Sequence, residues 1–387
     1  MRRRMAYPTA IGCGCLLGAG GASHVHAAEW TLQPTLSSLL DYDSNRNYVF
    51  GTAASEQAIL SADLLLQRSV ENLQLVLQPH FDVRRFSDST WAPGNDRSLA
   101  AGITWTRERA KLNVNGSIAN QTTLSTELLQ TGILEGDSRR RSESATAELD
   151  LMQTEKRLFY TQYNFQSSPY FGPPLIHLLL PGYHYNSAVS GERFTLNENL
   201  VFSVAAFGDI LHSERAGASS HEAGAQIELN YAHSEKLNFD VQLGDSQRVL
   251  SGASSNGWSA VALINRNFER SALTLSFSRQ LTPYGNGYLV ERQQFSAGLK
   301  RALSEYLNAD LTVTRIQNND STVRLGLDRR FYDNLGGGLD WRLSESWTLR
   351  SEATTSWTPP YGSIHTVHEW RAALIMTWKP LQQELIR

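Results

Sequence analysis

The chain holds 10 His, 2 Cys and 38 Asp and Glu. Side chains for acid–base, nucleophilic and metal chemistry are therefore present, and their spacing decides what they can do. A hydrolase built on one strand face needs His and Ser two residues apart, so that they can share a proton. No His in this chain begins a His-x-Ser, and no Asp-x-His occurs. His184 and Ser190 share strand parity, but six residues of strand separate them by roughly 20 Å. His365 and His368 are three apart, with no Cys and no third ligand beside them, a weak metal pattern. His221-Glu222 is no stronger. Neither a phosphate-cradling glycine loop nor a nucleophile elbow is present. The expected sets of catalytic, cofactor-binding and metal-binding residues are empty, and the expected protein is not an enzyme.

The informative chemistry lies in a rhythm of acids. Glu71, Glu108, Glu155, Glu192, Glu235, Glu269, Glu305 and Glu345 each fall in a short polar break between two alternating runs. A basic residue follows several of them, as at Arg109, Lys156, Arg193, Lys236 and Arg270. The intervals of roughly 35–47 residues match two membrane-crossing strands plus one longer loop. Eight tight turns on one side of a sheet imply nine hairpins, and so about eighteen strands.

The runs alternate with period two. Leu237, Phe239, Val241 and Leu243 oppose Asn238, Asp240 and Gln242. Leu307, Ala309, Leu311 and Val313 oppose Asn308, Asp310, Thr312 and Thr314. Ala145, Ala147, Leu149 and Leu151 oppose Thr146, Glu148 and Asp150, and the last run carries Trp370, Ala372, Leu374, Met376 and Trp378 on one face. A soluble sandwich alternates too, with shorter strands. Segments of ten or more residues suit a tilted bilayer crossing. The long breaks fall near 43–56, 84–96, 122–142, 168–182, 212–220, 248–256, 281–288 and 358–366. In the ninth hairpin either 317–321 or 330–334 serves as the loop.

Hydrocarbon offers the backbone no hydrogen bonds, so such a sheet must close. A barrel this wide is filled by water or by a plug, not by its side chains. The faces assigned to the lumen carry Glu148, Asp150, Asp240, Arg324, Asp328, Asp340, Arg342, Arg350, Glu352 and Arg371. Trp30, Trp105, Trp341, Trp347, Trp357, Trp370 and Trp378 lie near strand ends, where an aromatic girdle explains them better than sugar stacking. Gly336-Gly337-Gly338 marks a bend or a close backbone approach.

The N-terminus decides the compartment. Arg2, Arg3 and Arg4 precede a small-residue apolar stretch, and Val25-His26-Ala27 supplies a cleavage site. Residues 1–27 read as a secretory signal peptide and 28–387 as the barrel. Cys13 and Cys15 sit too early for a lipoprotein, and both lie in the signal, so the mature chain has no cysteine. An exported chain without disulfides must draw its stability from an extensive sheet. The formal charge of −3 includes the three signal arginines, and no acid precedes Glu29, so the mature part carries −6. That argues against a nucleic-acid partner. After the signal no apolar run approaches the twenty residues of a spanning helix.

Three groups could bind something. Arg139, Arg140 and Arg141, read as part of a long loop, suit the phosphates of lipopolysaccharide or an anionic glycan, although a solvated cluster explains them equally simply. Tyr42–Asn45, continued by Arg46 and Asn47, could hold a cation or sugar hydroxyls, but Asp and Asn also make turns unaided. Residues 173–181 are apolar without alternation and bracketed by prolines. Leu175, Ile176 and Leu178 there could narrow the barrel mouth, contact a partner, or extend a strand into the lipid rim.

The opening Trp30-x-x-x-Pro34, leading to Asp41-Tyr42-Asp43-Ser44-Asn45, resembles the outer-membrane β-barrel proteins found with bacterial exopolysaccharide-export systems. The likeness is specific over these opening residues; beyond them only the hairpin rhythm matches. It implies an outer-membrane location and glycan passage, and it brings no catalytic residue. Such barrels usually finish on an aromatic residue read by the barrel-assembly machinery. Trp378 fits that place, yet 379–387 follow it. Either the signal tolerates a tail, or the last strand runs differently.

The sequence thus predicts an all-β fold: a transmembrane, up-and-down antiparallel barrel of about eighteen strands (16–18) in a Gram-negative outer membrane. The expected function is a porin-like channel for small hydrophilic solutes or a secreted polysaccharide. The alternative is a non-conducting scaffold or adhesin that binds through external loops. Expected partners are outer-membrane lipid and lipopolysaccharide, the barrel-assembly machinery and, through the resemblance, a polysaccharide or export-complex proteins.

Overall fold

The computed structural model describes residues 29–45, 54–87, 94–123, 138–172, 180–214, 219–250, 253–283, 287, 289–319, 329–358 and 367–386. The expected signal peptide, residues 1–27, lies outside them. Twenty strands follow one another in a single sheet. The first seven are β1 (Glu29–Asp43), β2 (Ser55–Val70), β3 (Leu73–Phe86), β4 (Asn95–Arg107), β5 (Ala110–Thr122), β6 (Arg139–Thr154) and β7 (Arg157–Ser168). A two-residue piece, β8 (Tyr170–Phe171), also pairs with β6. Then come β9 (Tyr183–Asn197), β10 (Leu200–Ser213), β11 (Ser219–Ser234), β12 (Leu237–Leu250), β13 (Ala253–Asn267) and β14 (Ser271–Pro283). The wall finishes with β15 (Leu289–Ala302), β16 (Leu307–Asn319), β17 (Arg329–Arg342), β18 (Trp347–Thr358) and β19 (Val367–Trp378), and a short β20 (Gln383–Ile386) follows.

Apart from the two short pieces, eighteen strands form the wall, each antiparallel to its neighbours. The sheet closes where β19 pairs with β1, from Leu36↔Trp378 to Asp43↔Arg371. Closure removes the two terminal edge strands of the sheet, the condition hydrocarbon imposes on a β structure. The tail is resolved as a strand read differently. After the break at Pro380, β20 continues along the same partner, with Gln383↔Leu32 and Glu384↔Thr31.

The short turns are made by hydroxyl and amide side chains that accept from a backbone N–H two residues on. Thr154 accepts from Lys156, Asn197 from Asn199, Ser234 from Lys236, Ser304 from Tyr306 and Ser344 from Ser346. Glu155, Glu235, Glu305 and Glu345 are therefore exposed tip residues between the capping side chain and the next strand. One member of the expected series is wrong. Glu192 lies within β9, where it pairs with Arg157 at 2.5 Å, and the turn is at Glu198-Asn199. Arg193 is likewise a strand residue. Glu192 stands on the outward face opposite Val204, and a Glu-Arg step inside a strand imitates the turn pattern. In the ninth hairpin the link falls between Asn319 and Arg329, so 330–334 belong to β17 and are not its loop.

The register places like residues on one face. Leu36, Leu60, Leu77, Leu99, Val114, Leu151, Val204, Ile227, Val241, Leu311, Leu339 and Leu374 are all exposed, and all fall on the outward parity. Large apolar side chains exposed around the wall are the mark of a surface solvated by lipid. All seven tryptophans named from the sequence share that parity, as does Trp258.

Candidate functional site

The inward parity is predominantly polar, with apolar exceptions such as Leu39, Ile59 and Ile375. Of the residues predicted to line the lumen, Glu148, Asp150, Asp240, Asp340, Arg342, Arg350, Glu352 and Arg371 stand on the face opposite the exposed apolar one. Arg324 and Asp328 lie outside the described residues. Several of these side chains are brought together. Arg371 Nε donates to Asp41 Oδ2 at 2.6 Å, and its Nη2 lies 3.9 Å from Glu352. Glu352 accepts from Arg350 Nε at 3.1 Å. Arg350 Nη1 donates to both Asp310 and Asp340 at 2.7 Å. One alternating chain of charge thus crosses β1, β19, β18, β17 and β16. Asp41 and Asp310 belong to it and were not singled out from the sequence. Their strand parity alone could have found them.

Elsewhere Glu148 accepts from Asn113, and Arg342 stands at the turn end, donating to the Glu305 carbonyl. Inward acids without a place in the sequence expectation include Asp63 and Asp82, which flank His80 at 2.7 and 3.0 Å. Asp96 pairs with the buried Arg84, and Glu222 with the buried Arg248.

The arginine triplet is not a loop. Arg139 opens β6, so the three side chains alternate in direction. Arg139 and Arg141 point outward. Arg140 points inward, is 3% exposed, donates to Ser168 and lies over the Tyr170 ring. It is no external contact, because strand geometry turns it into the wall's rim. Asp43 and Asn45 form a turn: the Asp43 carboxylate accepts from Asn45 N–H at 2.9 Å, and Asn45 donates to the His368 carbonyl. Tyr42 stacks on Trp370 at 4.7 Å. Leu175, Ile176 and Leu178 lie outside the described residues; their neighbour Leu180 is buried against Tyr170.

One feature of the mouth has no counterpart in the sequence reading. The β13–β14 ladder stops at Ala260↔Arg279. Beyond it β13 continues with β12, while β14 and β15 stay paired to Pro283↔Leu289. The freed end of the β14–β15 hairpin leans into the barrel. Leu281 and Leu289, on the outward parity, are buried with Tyr183 and Leu211 from the inner face of β9 and β10. Glu291 accepts from Arg279 at 2.8 Å and meets Arg248, on the inner face of β12, at 3.4 Å. At the tip Gly287 has φ +83°, a conformation that disfavours a side chain, and it packs against Ser213 and Pro181. Lower on β15, Gly298 faces open space in the lumen.

A closed eighteen-strand antiparallel wall, apolar outside and polar inside, defines an outer-membrane β-barrel of porin-like architecture. Solved structures share it. The chain is similar to the crystal structure of Acinetobacter baumannii OccAB4, with a TM-score of 0.52, 9% identity, and coverage of 92% of this chain and 98% of that one. It is similar to Acinetobacter baumannii OccAB2, with a TM-score of 0.50, 11% identity, and coverage of 90% and 98%. It also resembles the outer membrane protein opdK from Pseudomonas aeruginosa, with a TM-score of 0.50, 8% identity, and coverage of 92% and 99%. At these identities the likeness carries the fold. No protein-family model matches the chain, and no curated protein sequence matches it.

Proposed function

We propose that the protein is a porin-like channel that passes small hydrophilic solutes through its polar lumen. The observation carrying this reading is the predominantly polar inward face of Asn, Gln, Ser, Thr and charged side chains around a wall too wide for them to fill. The paired charges of β16–β19 and β1 offer hydrogen bonds that are individually weak, as passage requires. The folded-in β14–β15 hairpin is the natural constriction. A secreted polysaccharide as cargo rests only on the resemblance of the opening residues. Planar-bilayer recording tests the proposal: steady ohmic steps from purified barrel support it, and silence across the accessible voltage range overturns it.

The hairpin favours a second reading, a sealed scaffold. Leu211 and Leu289 are almost wholly buried, so the tip is packed and not merely draped. Silence in the same recordings, persisting after the hairpin is loosened by substitution, supports that reading.

A further inference from the structure

On the lipid-facing surface, where β19, β1, β2 and β3 run side by side, there is an apolar groove of about 670 Å³ lined chiefly by Leu40, Tyr42, Ala58, Arg85, Ala372 and Leu374, with the exposed carboxylate of Glu56 also on its lining. It is hollow because small residues stand opposite large ones: Leu40 pairs with Ala58, and Tyr42 with Ala372. The exposed guanidinium of Arg85 borders it.

Farther along the same rim, the outward face carries more arginine at one height. Phe81 pairs with Arg97, Arg97 with Asn120, and Asn120 with Arg141, while Arg139 follows opposite Thr122. Arg141 is 47% exposed and Arg139 is 36% exposed. Arg141 pairs with Glu143; Arg139 donates through Nε and Nη2 to Asn120 and to the Asn95 carbonyl and stands 3.7 Å from Asp96, leaving its Nη1 donors. A guanidinium carries five donors, so each keeps capacity for a phosphate. Phe81 stands beside Arg97, and immediately below lie Leu99 and Ile118, all exposed to the bilayer. The arginines therefore sit where the apolar belt ends on the side of the long loops, the outer leaflet's headgroup level.

We propose that this face is a binding site for the phosphorylated, multi-acyl glycolipid of the outer leaflet, lipid A, with acyl chain in the groove and phosphates on Arg85, Arg97, Arg139 and Arg141. Charge complementarity and the adjoining chain-sized groove select this occupant over a free anion. The proposal stands whether or not the lumen conducts.

Native mass spectrometry of the folded, delipidated barrel tests it, with bisphosphorylated lipid A, dephosphorylated lipid A, phosphatidylglycerol and inorganic phosphate as separate probes. The expected result is retention of bisphosphorylated lipid A at least tenfold above the dephosphorylated form and above phosphatidylglycerol. Arg85→Gln with Arg97→Gln and Arg141→Gln should remove that preference, and Ala58→Phe with Ala372→Phe should lower retention while the arginines remain. Folding of each variant is verified by the mobility difference between unheated and heated samples. Equal retention of the two lipid A forms by the wild-type barrel overturns the proposal without needing any variant. So does displacement by millimolar inorganic phosphate, which would mark a simple anion site, or equal binding of phosphatidylglycerol.

Discussion

Arg350 reaches across β17 through the space that Gly338 leaves empty. Gly338 lies between Asp310 and Glu352 in the ladder, and a Cβ there would stand 2.6 Å from Arg350 Nη2. Without a side chain at 338, the guanidinium on β18 can touch Asp310 two strands away and Asp340 beside it. Arg248 uses the same device, lying over Gly257 on its way from Glu222 toward Glu291. Glycine here makes room for a cross-strand charge and turns isolated pairs into a ladder along the lumen wall.

Filling that notch should break the ladder. Gly338→Val is expected to cost about 1–3 kcal/mol as an overpacked site, read as a lower denaturant midpoint for unfolding from detergent micelles. Arg350→Gln should cost less, about 0–1 kcal/mol for a partly exposed pair.

Selectivity should respond more than stability. Arg350→Gln leaves Asp310, Asp340 and Glu352 without their shared cation, so the lumen gains negative field. The reversal potential in a salt gradient should shift toward cation preference, and Glu352→Gln should shift it the other way. Unchanged potentials in both variants would remove this wall from the ion path.

Gly298 offers a clean probe of access, because residues 28–387 hold no cysteine. Gly298→Cys places a thiol in open lumen. A charged methanethiosulfonate reagent should label it in intact vesicles and lower single-channel current. The outward Leu299→Cys, buried in lipid, should resist the same reagent. Equal labelling would contradict the assigned faces.

The hairpin makes its own prediction. Leu289→Ala removes apolar contact from the cluster with Leu211, Tyr183 and Leu281, at a cost of about 2–5 kcal/mol for a well-buried leucine. The freed tip should raise mean conductance or open-state noise in bilayer recordings.

Facing can be tested by charge. Leu311→Arg points into lipid and Thr312→Arg into the lumen. The first should cost roughly 2–4 kcal/mol near the bilayer centre, measured by folding titration into lipid vesicles. The second should leave folding nearly unchanged.

Much of this architecture was legible in one dimension. Alternation at Leu237–Leu243 or Leu307–Val313 fixes which residues share a face, because a strand repeats every two residues whatever its partners. Turn chemistry at Thr154, Ser234 and Ser344 is local as well, and so the hairpin rhythm could be read. Where local signals conflict, one dimension misleads: Glu192 imitates a turn acid, and Arg139–Arg141 imitate a loop because three like charges hide an alternation. Which charges meet was settled only by register and closure. Asp41 and Arg371 are 330 positions apart and become partners because β19 closes on β1. The inward lean of the β14–β15 hairpin likewise depends on where the β13 ladder ends and on what the inner faces of β9, β10 and β12 present to it. Periodicity is a property of the chain; proximity belongs to the closed sheet.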